Sequence, residues 1–353
     1  MEVREILLED HVNKSILSPN LLDQFAIRGM IESVQDPYAK YLGESEFQEY
    51  LNRLEKGSSS SYVGIGVFVA ERAGQILITS VFPNSPAHSA GLLPGDELLS
   101  VDSISVADSP LDLVAQMVLG PELTPVSLTI RRSLPNQTSI FTVELIRSQV
   151  RHPTAVWSLF DDIGYIAILS FSSVTYSEIE DAITQLSGHS ITALIIDLRN
   201  NPGGLVTSVI DNSSIFLGGK DKLIGYTVNS KGIRQNWESK DVSIDFSYLP
   251  IAILVNQYSA SGSEVFASAL QYHNESIVIG SQTFGKGSES TVRPLSDGSG
   301  VIYSSSHWFT PGDQSINGKG VTPDILIESS DASNKHSDLF INKAIELLSK
   351  SIN

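Results

Sequence analysis

The residues best suited to chemistry fall in three short stretches. The first is IAILVNQYSASGSEVFASA, Ile251–Ala269. An apolar run ends near Asn256, a turn of small polar residues follows, and a helical pattern begins near Gly262–Ser263 with Glu264 in its first turn. Ser261 therefore stands at a strand-to-helix junction, beside the unpaired N–H groups of a helix start. A hydroxyl there is exposed and has donors at hand for an oxyanion. Taken alone, this stretch fits an N-cap, the commoner job of such a serine, equally well at Ser261 or Ser263. The second stretch is SIVIGSQTFGKG, Ser276–Gly287, with Lys286 between two glycines. A lysine in such a loop is ordinarily solvated and idle. To act as a base it must be neutral, which takes burial to lower its pKa from ~10.4. The flanking glycines let the backbone bring the amine close to another loop. The third stretch is ALIIDLRNNPGGL, Ala193–Leu205. The N–H groups of Gly203 and Gly204 sit at another helix start and could complete an oxyanion hole with that of Gly262. The plainer reading is a strand–turn–helix connection, with Asn200 and Asn201 as turn formers.

A Ser-His-Asp triad is the competing chemistry. Of seven histidines, only His273 and His307 lie near these stretches in sequence. His273 falls at the far end of the helix after Ser261, about three turns away at ~1.5 Å per residue. His307 sits in a strand-like segment, Val301–Phe309, which spacing alone leaves in play. There is no G-x-S-x-G elbow and no H-E-x-x-H pattern. Asp161-Asp162 reads as a solvated loop before a strand. The absence of cysteine removes thiolate nucleophiles, disulfides and Cys-based zinc sites together.

Three regions must position these stretches. Residues 1–60 read as helical: apolar residues recur at helical spacing over Asn20–Ile31, Asp36-Pro37 stops that helix, and Glu44–Leu54 resumes the pattern. Lys56-Gly57-Ser58-Ser59-Ser60-Ser61 reads as a flexible linker. Residues 62–148 read as a small, mostly-β module, with strands at Gly66–Val69, Gln75–Val81, Glu97–Val101, Ser127–Arg131 and Phe141–Leu145. Helices are expected there at Ser85–Ala90 and Ser109–Val118. Over 150–353, strands at Tyr165–Ile168, Ala193–Asp197, Ile251–Val255 and Ile277–Ile279 alternate with helices at Ser177–Gln185, Gly204–Phe216 and Ser263–Gln271. That alternation means an α/β core, closed by a C-terminal helix over Asp338–Lys350.

The chain has 353 residues, enough for two domains with a small extra module. Its formal net charge of −17 argues against nucleic acid and against an anionic membrane surface as partners. No apolar run approaches the ~20 residues of a membrane span. The charged start, Met1-Glu2-Val3-Arg4-Glu5, lacks a signal-peptide core, so the chain is read as cytoplasmic or as a mature or truncated form.

Together the three stretches resemble the carboxyl-terminal processing, or tail-specific, proteases. Ser259-Ala260-Ser261-Gly262-Ser263-Glu264 is similar to that family's serine motif, whose middle serine is the nucleophile. Thr283-Phe284-Gly285-Lys286-Gly287 is similar to its lysine motif, and Asp197–Gly204 to its D-L-R-N-N-x-G-G segment. Phe309-Thr310-Pro311 and Gly318-Lys319-Gly320-Val321-Thr322-Pro323-Asp324 follow its downstream signature. Asp36-Pro37-Tyr38 with Tyr41-Leu42 matches the N-terminal part. Tyr62–Gly66 with Gly91–Asp96 matches its PDZ domain. The resemblance implies an α/β, crotonase-like spiral catalytic core over 150–353, an inserted mostly-β PDZ domain over 62–148, and a helical region over 1–60. It implies a serine endopeptidase with Ser261 as nucleophile, Lys286 as base, and the N–H groups of Gly203 or Gly204 and Gly262 for the oxyanion, with no metal or nucleotide cofactor. It also implies export to the periplasm, cell envelope or thylakoid lumen, and it leaves a homo-oligomer open. Gly262 stands where the family has alanine. Ser290 stands where it has the glutamine thought to orient the lysine.

Gly64-Ile65-Gly66 precedes the strand starting at Val67. Successive N–H groups at such a loop can hold a terminal carboxylate while the strand edge takes the peptide as an added strand. The plain alternative is a tight strand entry. The expected pocket is apolar, built partly from Ile65, Val67 and the helix around Leu113 and Met117, so substrate proteins with apolar C-terminal tails are the expected partners. Two rival readings are a PDZ scaffold without activity, supported by Ser290, and a Ser-His hydrolase using His307.

Overall fold

A computed structural model describes residues 2–56, 61–72, 74–82, 84–107, 109–134, 137–327 and 338–351. The architecture is mixed α/β. Strands Ala193–Asp197 and Ile251–Val255 are buried at every residue. Runs that are almost wholly apolar suit strands covered on both faces. They occupy the middle of a six-stranded sheet ordered Ala155–Phe160, Ile163–Ile168, Ala193–Asp197, Ile251–Val255, Ile277–Gly280, Ile325–Leu326. The first pair is antiparallel and every later pair parallel.

Side chains alternate between the two faces of this sheet. Leu194, Ile196, Ile253 and Val255 pack with Val209, Val265 and Phe266, from the helices Val206–Leu217 and Gly262–Tyr272. Ala193, Ile195, Ala252 and Leu254 pack with Ile341, Ala344 and Leu348 of the helix Leu339–Ser351. Each of the two central strands runs at its carboxyl end into one helix of the first layer. Because these strands are neighbours, the helix starts after them are neighbours too. Crevices outside strand carboxyl ends are the usual place for a site in such sheets.

A second sheet is built on the long strand Gly300–Phe309. It pairs with Ser288–Pro294 on one side, and on the other with Lys40–Leu42 and then Leu223–Asn229. Lys40–Leu42 departs from the all-helical expectation for the N-terminal region. Three residues between the helices Pro19–Ser33 and Glu44–Lys56 become a strand because a distant partner offers its edge. Of the expected linker, residues 57–60 lie outside the described residues.

The mostly-β region has its own sheet and its own core, which includes Ile78, Leu98, Val114, Leu128 and Ile130. Its entering strand Ser61–Gly64 and leaving strand Ser148–Arg151 pair antiparallel, so the chain enters and leaves at one side. There Phe82 and Val150 pack on Val156 and Ala167 of the main sheet. No helix among the described residues is long and apolar enough to cross a membrane.

The C-terminal helix is held by charge as well as by packing. Arg199 donates from Nε and Nη2 to the buried Asp197, and from Nη1 to Asp338 at 3.0 Å. Its guanidinium also lies over the Phe340 ring. Tyr165 donates its hydroxyl to Asp197 at 2.8 Å. Removing one partner of a buried pair strands the other. Arg199→Ala is therefore expected to lower the unfolding free energy by roughly 3–5 kcal/mol, read from urea denaturation midpoints. Arg199→Lys should fall between, since one ammonium cannot reproduce the guanidinium fork.

Candidate active site

Ser261 closes the turn between the strand Ile251–Val255 and the helix Gly262–Tyr272, with φ 55° and ψ −114°. This is a sparsely populated conformation for a residue with a side chain, costing of order 1–3 kcal/mol. The neighbouring loop supports it. Ala260 N and Ser263 Oγ both donate to Asn201 O at 3.0 Å. Asn200 and Asn256 exchange hydrogen bonds, with Asn256 Oδ1 accepting from Asn200 N and Asn256 Nδ2 donating to Asn200 Oδ1. The two asparagines thus do more than form a turn: they tie two loops side by side.

The approach is close enough to require glycine. A Cβ on Gly203, whose φ is 94°, would lie 2.6 Å from Gly262 N and 2.9 Å from Ser261 Cβ. The Gly203 N–H donates to Asn201 Oδ1 at 2.8 Å. This corrects the expectation that Gly203 could serve an oxyanion, because its proton is already committed. The N–H groups of Gly204 and Gly262 have no acceptor among the described residues. They lie close together beside Ser261, since a Cβ on Gly262 would stand 3.4 Å from Gly204 N.

Lys286 reaches the same place through Glu264. That carboxylate is fully buried in the first turn of the serine helix. Its Oε2 accepts from Ser261 N at 2.7 Å and from Lys286 N at 2.9 Å. Its Oε1 accepts from Thr283 Oγ1 and from Gly285 N, each at 2.6 Å. Burial raises the Glu264 pKa above the ordinary carboxylate value, and the four donors act against that rise. The backbone is tightly packed beside Lys286: a Cβ on Gly287 would stand 2.1 Å from Asn317 N.

Burial pushes the Lys286 amine below its ordinary pKa, and the charge of Lys40 adds to this, while Asp36 and Glu264 oppose it. The Lys286 Nζ lies 4.8 Å from the centre of the Tyr38 ring. No hydrogen bond joins it to Ser261 Oγ or to Ser290 among the described residues. Ser290 stands on the strand Ser288–Pro294, opposite Ser304 and beside a bulge. Ser261 and Lys286 are thus brought together through their backbones, and their side chains are not engaged.

The histidines stand apart. His307 is exposed on its strand, next to the buried Trp308, and makes no described contact with Ser261. His273 caps the far end of the serine helix, its Nε2 2.9 Å from Leu223 O.

In the mostly-β region, Val67–Arg72 is an edge strand, paired among the described residues with Gln75–Val81 alone. A cavity of about 270 Å³ runs between that edge and the helix Leu111–Val118, lined among others by Ile65, Val67, Ala115, Leu119, Tyr62 and His152. Leu113 and Met117 are not among its lining residues, which corrects the expected pocket: the helix turns Ala115, Val118 and Leu119 toward the strand and leaves Leu113 exposed. Gly66 has φ 81° and Ile65 is buried. The Tyr62 ring lies over Gly64. Burial pushes the Tyr62 pKa up to about 12.

Glu264, Tyr38, Asp36 and Lys40 carry weight that the sequence reading did not assign to them. For Glu264 the signal was present, an acid in the first turn of the helix that Ser261 caps. For the other three it was only their place beside a helix stop.

Residues 162–327 match the family described as Peptidase family S41, and residues 77–132 match the family described as PDZ domain. Among curated proteins, a probable CtpA-like serine protease of Staphylococcus haemolyticus is 35% identical over 308 residues, covering 87% of this chain and 60% of that protein. Its counterpart in Staphylococcus aureus is 34% identical over 327 residues, covering 93% and 64%. The chain thus spans less than two thirds of the length of these relatives. Among solved structures, a photosystem II D1 C-terminal processing protease is 28% identical with a TM-score of 0.54, covering 93% of this chain and 86% of that one. A putative S41 protease from Bacteroides fragilis shares the fold, with a TM-score of 0.56 at 14% identity over 99% of this chain and 97% of that one.

The Glu264 geometry generates a direct test. Each of its oxygens accepts two donors, so Glu264→Gln places an amide NH₂ against two N–H or O–H groups whichever way the amide turns. Two buried donors then lose their acceptor, and the loss of stability is expected at roughly 2–5 kcal/mol by denaturant unfolding. Labelling of Ser261 by a serine-directed fluorophosphonate should slow at the same time. Unchanged stability and labelling would remove Glu264 from the site.

Proposed function

We propose that this chain, whose residues 162–327 match the family described as Peptidase family S41, is a serine endopeptidase acting on proteins near their C-terminal ends. The observation that carries this reading is the shared carboxylate oxygen. Ser261 N and Lys286 N both donate to Glu264 Oε2, so the backbones of nucleophile and base are fixed to one atom.

In this reading neutral Lys286 takes the proton of Ser261 Oγ as that oxygen attacks the scissile carbonyl carbon. The carbonyl oxygen gains charge and is met by the N–H groups of Gly204 and Gly262. Collapse breaks the C–N bond, and the lysine ammonium returns its proton to the leaving nitrogen. Water then releases the acyl group by the same steps in reverse roles. Burial of Lys286 supports its role, because an amine below its ordinary pKa is neutral in a larger fraction of molecules near neutral pH. The absence of a Ser261–Lys286 side-chain hydrogen bond fits a base that engages once substrate has arrived.

The substrate is held, in the same proposal, by its tail. The free edge of Val67–Arg72 accepts an extended peptide as an added strand, and the apolar cavity beside Ala115 and Leu119 takes its side chains. The name of the D1 C-terminal processing protease points the same way. Export of the protein is part of the proposal, carried by the family resemblance.

Ser261→Ala and Lys286→Ala should each abolish cleavage while circular dichroism stays folded, and the double variant should be no worse than either single. Wild-type activity should rise with pH through a midpoint below the ordinary lysine value of ~10.4, because the neutral amine is the active form. Retained activity in Lys286→Ala, or loss of the rise in His307→Ala, would hand the role of base to another group.

Tail capture has its own test. Ala115→Phe fills the groove without touching the serine or lysine loops. It should slow cleavage of a protein with a free apolar C-terminus about tenfold or more, and leave short peptides unaffected. Wild-type enzyme should also prefer the free C-terminus over its amide. Equal rates on the two would mean that the carboxylate is not read.

A further inference from the structure

Lys286 is a partly buried amine with no hydrogen-bond acceptor for its Nζ among the described residues. What faces the amine is the Tyr38 ring, its centre 4.8 Å from Nζ. That distance is within the range of a cation–π contact.

The contact is not a chance approach of two loose side chains. Asp36 Oδ1 accepts from Tyr38 N at 3.0 Å, and Asp36 Oδ2 accepts from Ser304 N at 2.8 Å. Just beyond Tyr38, Lys40, Tyr41 and Leu42 pair with Ile302, Val301 and Gly300. Tyr38 is therefore pinned on both sides to the strand Gly300–Phe309. The lysine loop is pinned to the same strand, because Trp308 N donates to Gly287 O at 2.8 Å. Ring and amine are positioned from one rail. Meanwhile Ser290 makes no hydrogen bond to Lys286 among the described residues.

We propose that Tyr38 is the positioning residue for Lys286, its ring face holding the amine in place and stabilising the ammonium formed when Ser261 gives up its proton. The inference rests on reading Lys286 as the base. In the step itself the Oγ–H bond breaks, the proton passes to the Nζ lone pair, and the Oγ–carbon bond forms. The positive charge appears on Nζ, under the ring, at the moment it is needed. The other charged groups facing Nζ are Lys40, Asp36 and Glu264, and none of them changes in the variants below.

The test follows the rate at which a fluorophosphonate labels Ser261 as pH is varied, which needs the base and no knowledge of the substrate. Removing the ring face removes a group that favours the charged amine. Tyr38→Leu should therefore lower the alkaline plateau rate roughly five- to thirty-fold and move the midpoint down by about 0.5–1.5 pH units. Tyr38→Phe keeps the face and should keep both values. Should Tyr38→Leu fail to fold, Tyr38→Met is read in the same way. A wild-type midpoint in the folded Leu or Met variant overturns the inference, as does an equal loss in Tyr38→Phe. If Lys286→Ala is labelled at the wild-type rate, the reading of Lys286 as base has failed instead.

Discussion

A carboxylate that no solvent reaches holds the candidate site together. Burying a lone carboxylate costs several kcal/mol, and the cost is offset only when both oxygens are fully engaged. Glu264 meets that condition with donors from two chain segments: its own helix start gives Ser261 N, and the lysine loop gives Thr283, Gly285 and Lys286. If the lysine loop moved away, the carboxylate would lose three of its four donors. The constraint extends further out. Thr283 Oγ1, which donates to Glu264, also accepts from Val321 N at 2.7 Å. The turn Gly318–Gly320 must then run close beneath, and a Cβ on Gly320 would stand 2.6 Å from Thr283 O. Asp324 completes the brace by accepting from Val278 N and Gln271 Nε2. The downstream G-K-G-V-T-P-D segment is thus read as support for the lysine loop, one layer removed from Ser261.

The second sheet gives the other half of the geometry. Its long strand carries the N-terminal segment on one edge and the segment following Lys286 on the other. A change in that strand would move Lys286 and its aromatic neighbour together, while Ser261 answers to the main sheet. Glu264 is the bond between the two frames, which is why its burial matters more than its charge alone would suggest. The mostly-β region joins the main sheet at a different place, through Phe82, Val150, Val156 and Ala167.

Much of this was legible in the residues, and what was missed has a physical reason. Ala193–Asp197 and Ile251–Val255 are five-residue runs that only a doubly covered strand accommodates, and both were read to the residue. The helices after them followed from Gly and Ser at their starts. Lys40–Leu42 was not legible, because three residues have no period and their partner, Gly300–Ile302, lies at the other end of the chain. Arg199 could not be paired with Asp338 for the same reason. The groove was misplaced by one helical face: Leu113 is large and apolar, but Val114 and Val118 take the core positions, which turns Leu113 outward and Ala115 inward. Size suggested the pocket residue, and phase decided it. Gly203 was assigned a free N–H because the local sequence does not reveal that Asn201 folds back on it.

Ser261 shows how these ties act on one residue. Its φ of 55° is a conformation that an isolated turn would relax. Three neighbours prevent this. Glu264 Oε2 fixes its N–H, Asn201 O fixes the residue before it through Ala260 N, and the bare Cα of Gly203 leaves room for its Cβ. A side chain at 203 would clash with Ser261 Cβ and with Gly262 N at once. Relaxing the serine would instead withdraw its N–H from a buried carboxylate. The strained arrangement is therefore the lower-energy one in this surrounding, and it holds the serine next to the free N–H groups of Gly204 and Gly262. Glycine at 203 and 204, asparagine at 201 and glutamate at 264 act as one requirement: each allows or enforces a backbone that the serine would not adopt alone.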